Sequence, residues 1–399
     1  MKTSFIEVLR EIKNMKYRKH RDLEISEVGV GTYSLSGVYG RKDIKEFKRM
    51  IYRAFDLGVN FFDTAEGYGD AERILGDAIK PFRKEVYIAT KVGVKGNYKP
   101  NLSREYIKRA CEESLKRLQT DHIDLYQVHF SDPDTPVEET VGALEELASE
   151  GKIRYYGVCH LSKEVIEQYC RIGKPFSVLA ELSAVARESR ENFLPLCKEY
   201  DLGIIAFSTT ARGLLTGRFS EGEKFEVGDI RCIDPLFQRE RFESALRISK
   251  KFSELGNRFG KTSAQVAVAW VLAQQGVICA LTGPSTKEHL EENVGGSGWQ
   301  ISRKDLQDLE VVFEEEDAWL RQKQKTSIKN ILSKPLHDPQ KAFTDLIYVI
   351  ETAMSLRLVS EKTVLPVFYE LYGLKKELNT KGIESKLEKI QKRLSELIP

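Results

Sequence analysis

From residue 23 onward, short apolar runs alternate with longer segments whose apolar residues recur every three or four positions. The runs cover residues 25–31, 59–65, 86–93, 123–129, 153–159, 177–183, 203–208 and 277–283, each of a length suited to a strand buried on both faces. Between them, stretches such as DIKEFKRMIYRAFDLG, SREYIKRACEESLKRL and VEETVGALEELASEG carry the helical period, and several end at a Gly placed to close a helix. Eight strand–helix repeats predict an α/β fold, a closed (β/α)8 barrel of the TIM type. A doubly wound open sheet competes with it, but such a sheet normally opens on a GxGxxG turn, and the first run here leads into GVGTYSLSG.

In a closed barrel of this kind the chemistry lies at the C-terminal ends of the strands. There the second run ends on Asp63, with Tyr68 following between Gly67 and Gly69; the third ends on Lys91 in ATKVG; the fourth ends on His129 in YQVHF. Singly, each has an ordinary explanation as a turn cap, a surface group or a satisfied core histidine. Together, ionisable side chains finishing successive apolar strands are hard to explain as packing, because burying them unpaired is costly. They predict one site at the barrel mouth.

Composition narrows the remaining possibilities. With 62 Lys+Arg against 60 Asp+Glu, the net charge of +2 is spread along solvated helix faces, so no nucleic-acid footprint is expected. The opening MKTSFIEVLREIKN is charged and amphipathic rather than a signal peptide, and no run reaches the ~18 apolar residues of a membrane span, so a cytoplasmic protein is expected. The six cysteines, Cys111, Cys159, Cys170, Cys197, Cys232 and Cys279, lie far apart, so neither a disulfide framework nor a metal site is expected.

DTAEGYG, ATKVG, YQVHFSDPDTPVEETVGALEELASEGKIRYYGV and AQVAVAWVLAQ, in that order, resemble the successive signatures of the aldo-keto reductase superfamily, over residues 15 to 316. The resemblance implies the same barrel and the NAD(P)H-dependent reduction of a small-molecule aldehyde or ketone. It assigns the catalytic tetrad to Asp63, Tyr68, Lys91 and His129. Tyr68 is then the proton donor, Lys91 the cation that draws its pKa down from ~10, Asp63 the partner of Lys91, and His129 a donor that orients the substrate oxygen.

The implied cofactor contacts are Thr32 and Tyr33 near the nicotinamide, Cys159 and His160 where relatives carry a Ser-Asn pair, and Leu179 where they carry Gln. Phe207 supplies the stacking face and Ser208 the start of a pyrophosphate loop. Arg218 and Arg231 match phosphate-clasping positions. Gly283, Ser285, Lys287, His289, Glu292 and Asn293 match the adenosine segment, and the basic groups there favour NADP(H), with NAD(H) as the alternative. Because the nicotinamide grip is altered, an NADPH-binding regulatory or scaffolding protein with slow or no turnover stands as the competing function.

The resemblance stops near residue 316, leaving an N-terminal extension of residues 1–14, apolar at Phe5, Val8, Leu9 and Ile12, and a C-terminal extension of residues 317–399. Both are expected to be helical. KAFTDLIYVIETAMSL and KTVLPVFYELYGL are too apolar for a disordered tail. Ile383, Leu387, Ile390, Leu394 and Leu397 repeat at spacings of four and three, the pattern of a helical seam. Packing on its own domain is the favoured fate of so short a seam; a homo-oligomer contact or a lid beside the barrel mouth are the alternatives.

Overall fold

Each of the eight apolar runs contains a strand of one closed, all-parallel barrel. A computed structural model describes residues 15–40, 43–94, 100–225 and 229–398, so the helix expected over residues 1–14 lies outside the described residues. The barrel strands are β3 (Val28–Gly31), β4 (Phe61–Asp63), β5 (Tyr87–Val92), β6 (Ile123–Val128), β7 (Ile153–Cys159), β8 (Ser177–Glu181), β9 (Gly203–Phe207) and β10 (Val277–Thr282), in chain order around the ring with β10 closing onto β3.

Preceding them is an antiparallel hairpin of β1 (Tyr17–His20) and β2 (Leu23–Ser26) that the apolar pattern does not separate from the first barrel strand. The break falls where the buried Ser26 N–H turns aside to the Asn60 side chain at 2.7 Å. Leu23 and Ile25 of the hairpin join Phe61, Phe176, Leu179, Ile205 and Cys279 in one buried cluster inside the barrel. A fully buried side chain of this size contributes about 1.5–3 kcal/mol.

The helices that follow the strands are α1 (Ile44–Asp56), α2 (Ala71–Ile79), α3 (Arg104–Leu118), α4 (Val137–Ser149), α5 (Lys163–Ile172), α6 (Glu188–Tyr200), α7 (Arg239–Phe259), α8 (Ser263–Leu272), α9 (Lys287–Val294) and α10 (Arg303–Ser333). Their starts follow local chemistry. Asp43 caps α1 by accepting from the N–H groups of Lys45 and Glu46 at 2.8 and 3.2 Å, and Phe47, Met50, Ile51 and Ala54 form its buried stripe. Helix α8 opens on a capping box between Thr262 and Gln265 and is buried all round.

The described residues form two compact units: those up to 218 with 249–306, which hold the barrel, and those from 219 to 248 with those beyond 306. In the second unit, α11 (Pro339–Ser355), α12 (Glu361–Gly373) and α13 (Ile383–Leu397) surround Phe343, Leu346, Tyr348, Ile350, Val364 and Leu371, and Ile233 from the segment after β9 joins the same core. Ile383, Leu387, Ile390 and Leu394 are all buried there, so the heptad seam packs within its own unit. Arg239 to Asp345 at 2.6 Å further ties the 219–248 segment to α11. Among the described residues no helix is long and apolar enough to cross a membrane, and all six cysteines are free thiols, five of them buried.

Candidate active site

The mouth of the barrel is built by strand register. Asp63, the last residue of β4, pairs with Ala89 on β5, and Lys91 two residues later pairs with Gln127 on β6, so three polar side chains come to adjacent strand ends. Lys91 and Asp63 are 1% and 3% exposed, a burial that unpaired charges do not tolerate. The Lys91 Nζ donates to Asp63 Oδ1 and, at 2.8 Å, to the Thr64 carbonyl. The other Asp63 oxygen accepts from Gln127 Nε2 at 3.1 Å. Gln127, invisible as a functional residue in the sequence, thereby completes the carboxylate's coordination. Burial pushes the Asp63 carboxyl upward, and the Lys91 ammonium opposes it.

Tyr68 arrives from the β4–α2 loop. Gly69 takes φ +59°, a left-handed conformation that side chains disfavour, and at Gly67 a Cβ would lie 2.9 Å from the Val94 carbonyl oxygen. The flanking glycines thus permit a close turn that lays the half-buried Tyr68 ring 5.0 Å from Lys91 Nζ, measured to the ring centroid. His129, immediately after β6, meets the Tyr68 ring edge-on at 5.8 Å, and Tyr33 meets it at 5.0 Å.

The electrostatics correct one expectation. The net shift runs opposite to the expected one: burial pushes Tyr68 well above its usual value, and the Asp63 carboxylate adds to the rise. Tyr68 is therefore a protonated phenol at neutral pH. His129 is 6% exposed, and burial, reinforced by Lys91, holds it well below the usual imidazole range. It is a neutral imidazole whose Nδ1 has no protein partner.

Around this cluster the other expected residues fall into two groups. Thr32 follows β3, Cys159 ends β7 and Phe207 ends β9, with His160, Ser208 and Tyr33 just beyond their strands. His160 takes φ +46° and stacks on Phe130 at 4.8 Å, with Phe207 edge-on at 5.2 Å. Burial pushes the Cys159 thiol up, leaving it a neutral, weak donor. Leu179 lies in the barrel's apolar cluster and offers no hydrogen bond. Two residues further along β8, Glu181 stands opposite Phe207 in register and accepts from Arg212 Nη1 at 2.9 Å. This ion pair was not evident in the sequence, since nothing local links the end of β8 to the segment that follows β9. The buried hydroxyls Thr32 Oγ1, Ser208 Oγ and Thr209 Oγ1, at the C-terminal ends of β3 and β9, have no protein partner. Such orphaned donors, beside an aromatic face, fit a polar, planar cofactor.

The second group surrounds α9. Arg218 Nη2 donates to Glu292 at 2.6 Å and Nη1 contacts His289 Nε2, while His289 Nδ1 lies 3.0 Å from Ser285 Oγ. Lys287 points its ammonium toward Glu291 at 3.9 Å with its side chain 59% exposed. Gly283 follows β10, and Asn293 is buried in α9. The structure thus gathers Arg218, Ser285, His289 and Glu292, with Lys287 outside that cluster. Arg231 belongs to the second unit, where Asp229 accepts from it at 2.6 Å and the Phe225 ring centroid lies 4.7 Å from its guanidinium.

The sequence model of the Aldo/keto reductase family matches residues 27–313. Aldo-keto reductase YhdN of Bacillus subtilis (strain 168) is 36% identical over 313 residues, spanning 75% of this chain and 94% of the relative. Probable aldo-keto reductase 1 of Glycine max is 34% identical over 294 residues, spanning 72% and 85%. Among solved structures, the glycerol dehydrogenase AKR11B4 from Gluconobacter oxydans superposes with a TM-score of 0.69 at 28% identity, covering 76% of this chain and 96% of that one. The holo form of aldo-keto reductase AKR11C1 from Bacillus halodurans superposes with a TM-score of 0.64 at 30% identity, covering 75% and 96%.

Proposed function

The chain belongs to the aldo/keto reductase family of nicotinamide-dependent oxidoreductases, and from that premise we propose that it reduces an aldehyde or ketone to the alcohol with Tyr68 as proton donor and NADPH as the preferred cofactor. The observation that carries this reading is the placement of the Tyr68 phenol beside both a buried Lys91 ammonium and the His129 imidazole, with Lys91 5.0 Å and His129 5.8 Å from the Tyr68 ring.

When bound, the nicotinamide supplies the hydride. Thr32, Tyr33, Phe207, Ser208 and His160 would hold its end of the cofactor. As negative charge develops on the carbonyl oxygen, Tyr68 passes its proton to that oxygen, and His129 positions the oxygen by a hydrogen bond from its protonated ring nitrogen. The phenolate left behind gains from Lys91 what the resting phenol does not need, and Asp63 with Gln127 keeps that lysine in place. NADPH preference is supported by Arg218, an exposed guanidinium beside Ser285 and His289 that suits an added phosphate.

A second reading is favoured by Leu179 and the buried Cys159, which remove hydrogen-bonding groups from the nicotinamide end: a cofactor-binding regulatory protein with slow turnover. Turnover of generic aldehydes separates the two. For the catalytic reading, Tyr68→Phe should lower carbonyl reduction by ~10²–10⁴ while leaving NADPH binding nearly unchanged; reduction at the native rate would sink the assignment.

A further inference from the structure

Two residues before Tyr68 lies a carboxylate that the reaction above does not use. Glu66 is 5% exposed, and a carboxylate so buried must find donors. Its Oε1 accepts the Gly93 N–H at 2.8 Å, and the Tyr106 hydroxyl, from α3, donates to both of its oxygens at 3.1 and 3.2 Å. Its own backbone N–H donates to the Lys91 carbonyl at 3.3 Å. Gly93 stands two residues beyond Lys91, as Glu66 stands two before Tyr68. One residue therefore fastens the loop that carries the phenol to the strand end that carries the ammonium, through its backbone and through its side chain.

On the same side Lys91 Nζ also holds the Thr64 carbonyl, at 2.8 Å. Thr64 N–H bonds the Ala89 carbonyl at 2.9 Å before Glu66, and beyond it the next backbone bonds, Tyr68 to Ala65 and Ala71 to Tyr68, are local, joining the loop to itself and to the start of α2. Tyr106 matters as the second anchor: its hydroxyl reaches both Glu66 oxygens, and burial and Glu66 itself push its phenol upward.

The geometry points to Glu66 as a positioning residue for the reduction, one that sets where the Tyr68 phenol stands over Lys91 and His129. The inference rests on Tyr68 being the proton donor. It touches no reacting atom, so its effect should pass through Tyr68 alone.

The experiment is a double-mutant cycle of Glu66→Ala, Glu66→Gln and Tyr106→Phe, each in the native and the Tyr68→Phe backgrounds, with kcat for carbonyl reduction and NADPH affinity by fluorescence titration. Because a misplacement of about 1 Å costs up to ~10² in rate, Glu66→Ala should lower kcat by roughly 10–100-fold with NADPH affinity unchanged. Glu66→Gln, which keeps an acceptor for the Gly93 N–H, should recover most of that loss. In the Tyr68→Phe background Glu66→Ala should add no further loss, since no donor remains to be misplaced. An equal fold-loss in both backgrounds, or no loss in either, would overturn the proposal. If Glu66→Ala does not fold, Glu66→Gln and Tyr106→Phe carry the same test: smaller kcat losses that vanish with Tyr68→Phe support it, and unchanged kcat overturns it. A native rate in Tyr68→Phe alone would remove the donor assignment and the proposal with it, an outcome distinguishable from the others.

Discussion

Lys91 and Asp63 form an ion pair almost wholly removed from solvent, and both members are further bonded, Lys91 to the Thr64 carbonyl and Asp63 to Gln127. Removing one partner of such a pair strands the other in the barrel interior, which typically costs ~3–5 kcal/mol. Lys91→Met should therefore lower the unfolding free energy by about that amount, and adding Asp63→Asn should restore part of it while leaving reduction abolished. Denaturant unfolding of the two variants checks this. Native stability in Lys91→Met would mean the pair is not buried as described.

Two titrations at the mouth have opposite visibility. His129 has a folded pKa held below its unfolded value of ~6.5, so the unfolded chain binds more protons and stability falls as pH drops below that value. Thermal melting of the native protein should weaken between pH 7 and 5 more steeply than that of His129→Gln; parallel curves would contradict it. Tyr68, raised above its usual value, keeps its proton through the alkaline range, so kcat for reduction should show no basic limb from Tyr68 below pH ~10. A limb near neutrality that disappears in Tyr68→Phe would refute the electrostatic account.

At the adenosine end, the cation placed beside Ser285, His289 and Glu292 is Arg218, whereas Lys287 faces Glu291. Loss of a charge-assisted hydrogen bond worth ~1.5–3 kcal/mol means Arg218→Ala should weaken NADPH by about 10–100-fold and NADH little. Lys287→Ala should change neither by more than a few-fold, and the preference should fade with salt. Dissociation constants measured at two ionic strengths decide it; equal weakening of both cofactors by Arg218→Ala would put selectivity elsewhere.

In the second unit, Phe343 is fully buried among residues of α11, α12 and α13. Phe343→Ala should cost that unit ~3–5 kcal/mol. Truncation after residue 316 should go further, exposing the apolar side of the retained 219–248 segment and giving an insoluble protein. A soluble, fully active truncation would show that this core supports neither folding nor catalysis.

The barrel was legible in the amino-acid order because its signals are local: a strand buried on both faces needs a continuous apolar run, a helix needs its period and its caps, and eight such alternations have few ways to close. The residues at the mouth were legible for the same reason, since Asp63, Lys91 and His129 each interrupt the apolar logic of their own strand end. What tertiary structure alone decided depends on pairs distant in sequence. The hairpin of Leu23 and Ile25 is indistinguishable from the first barrel strand until Asn60 claims the Ser26 N–H. Arg212 and Glu181, or Glu66 and Gly93, carry no mark of each other until two strands stand side by side. The direction of the Tyr68 shift turned on the same point: a lysine nearby predicts a lowered phenol, but burial of the phenol and the Asp63 carboxylate that the fold brings beside it push it up.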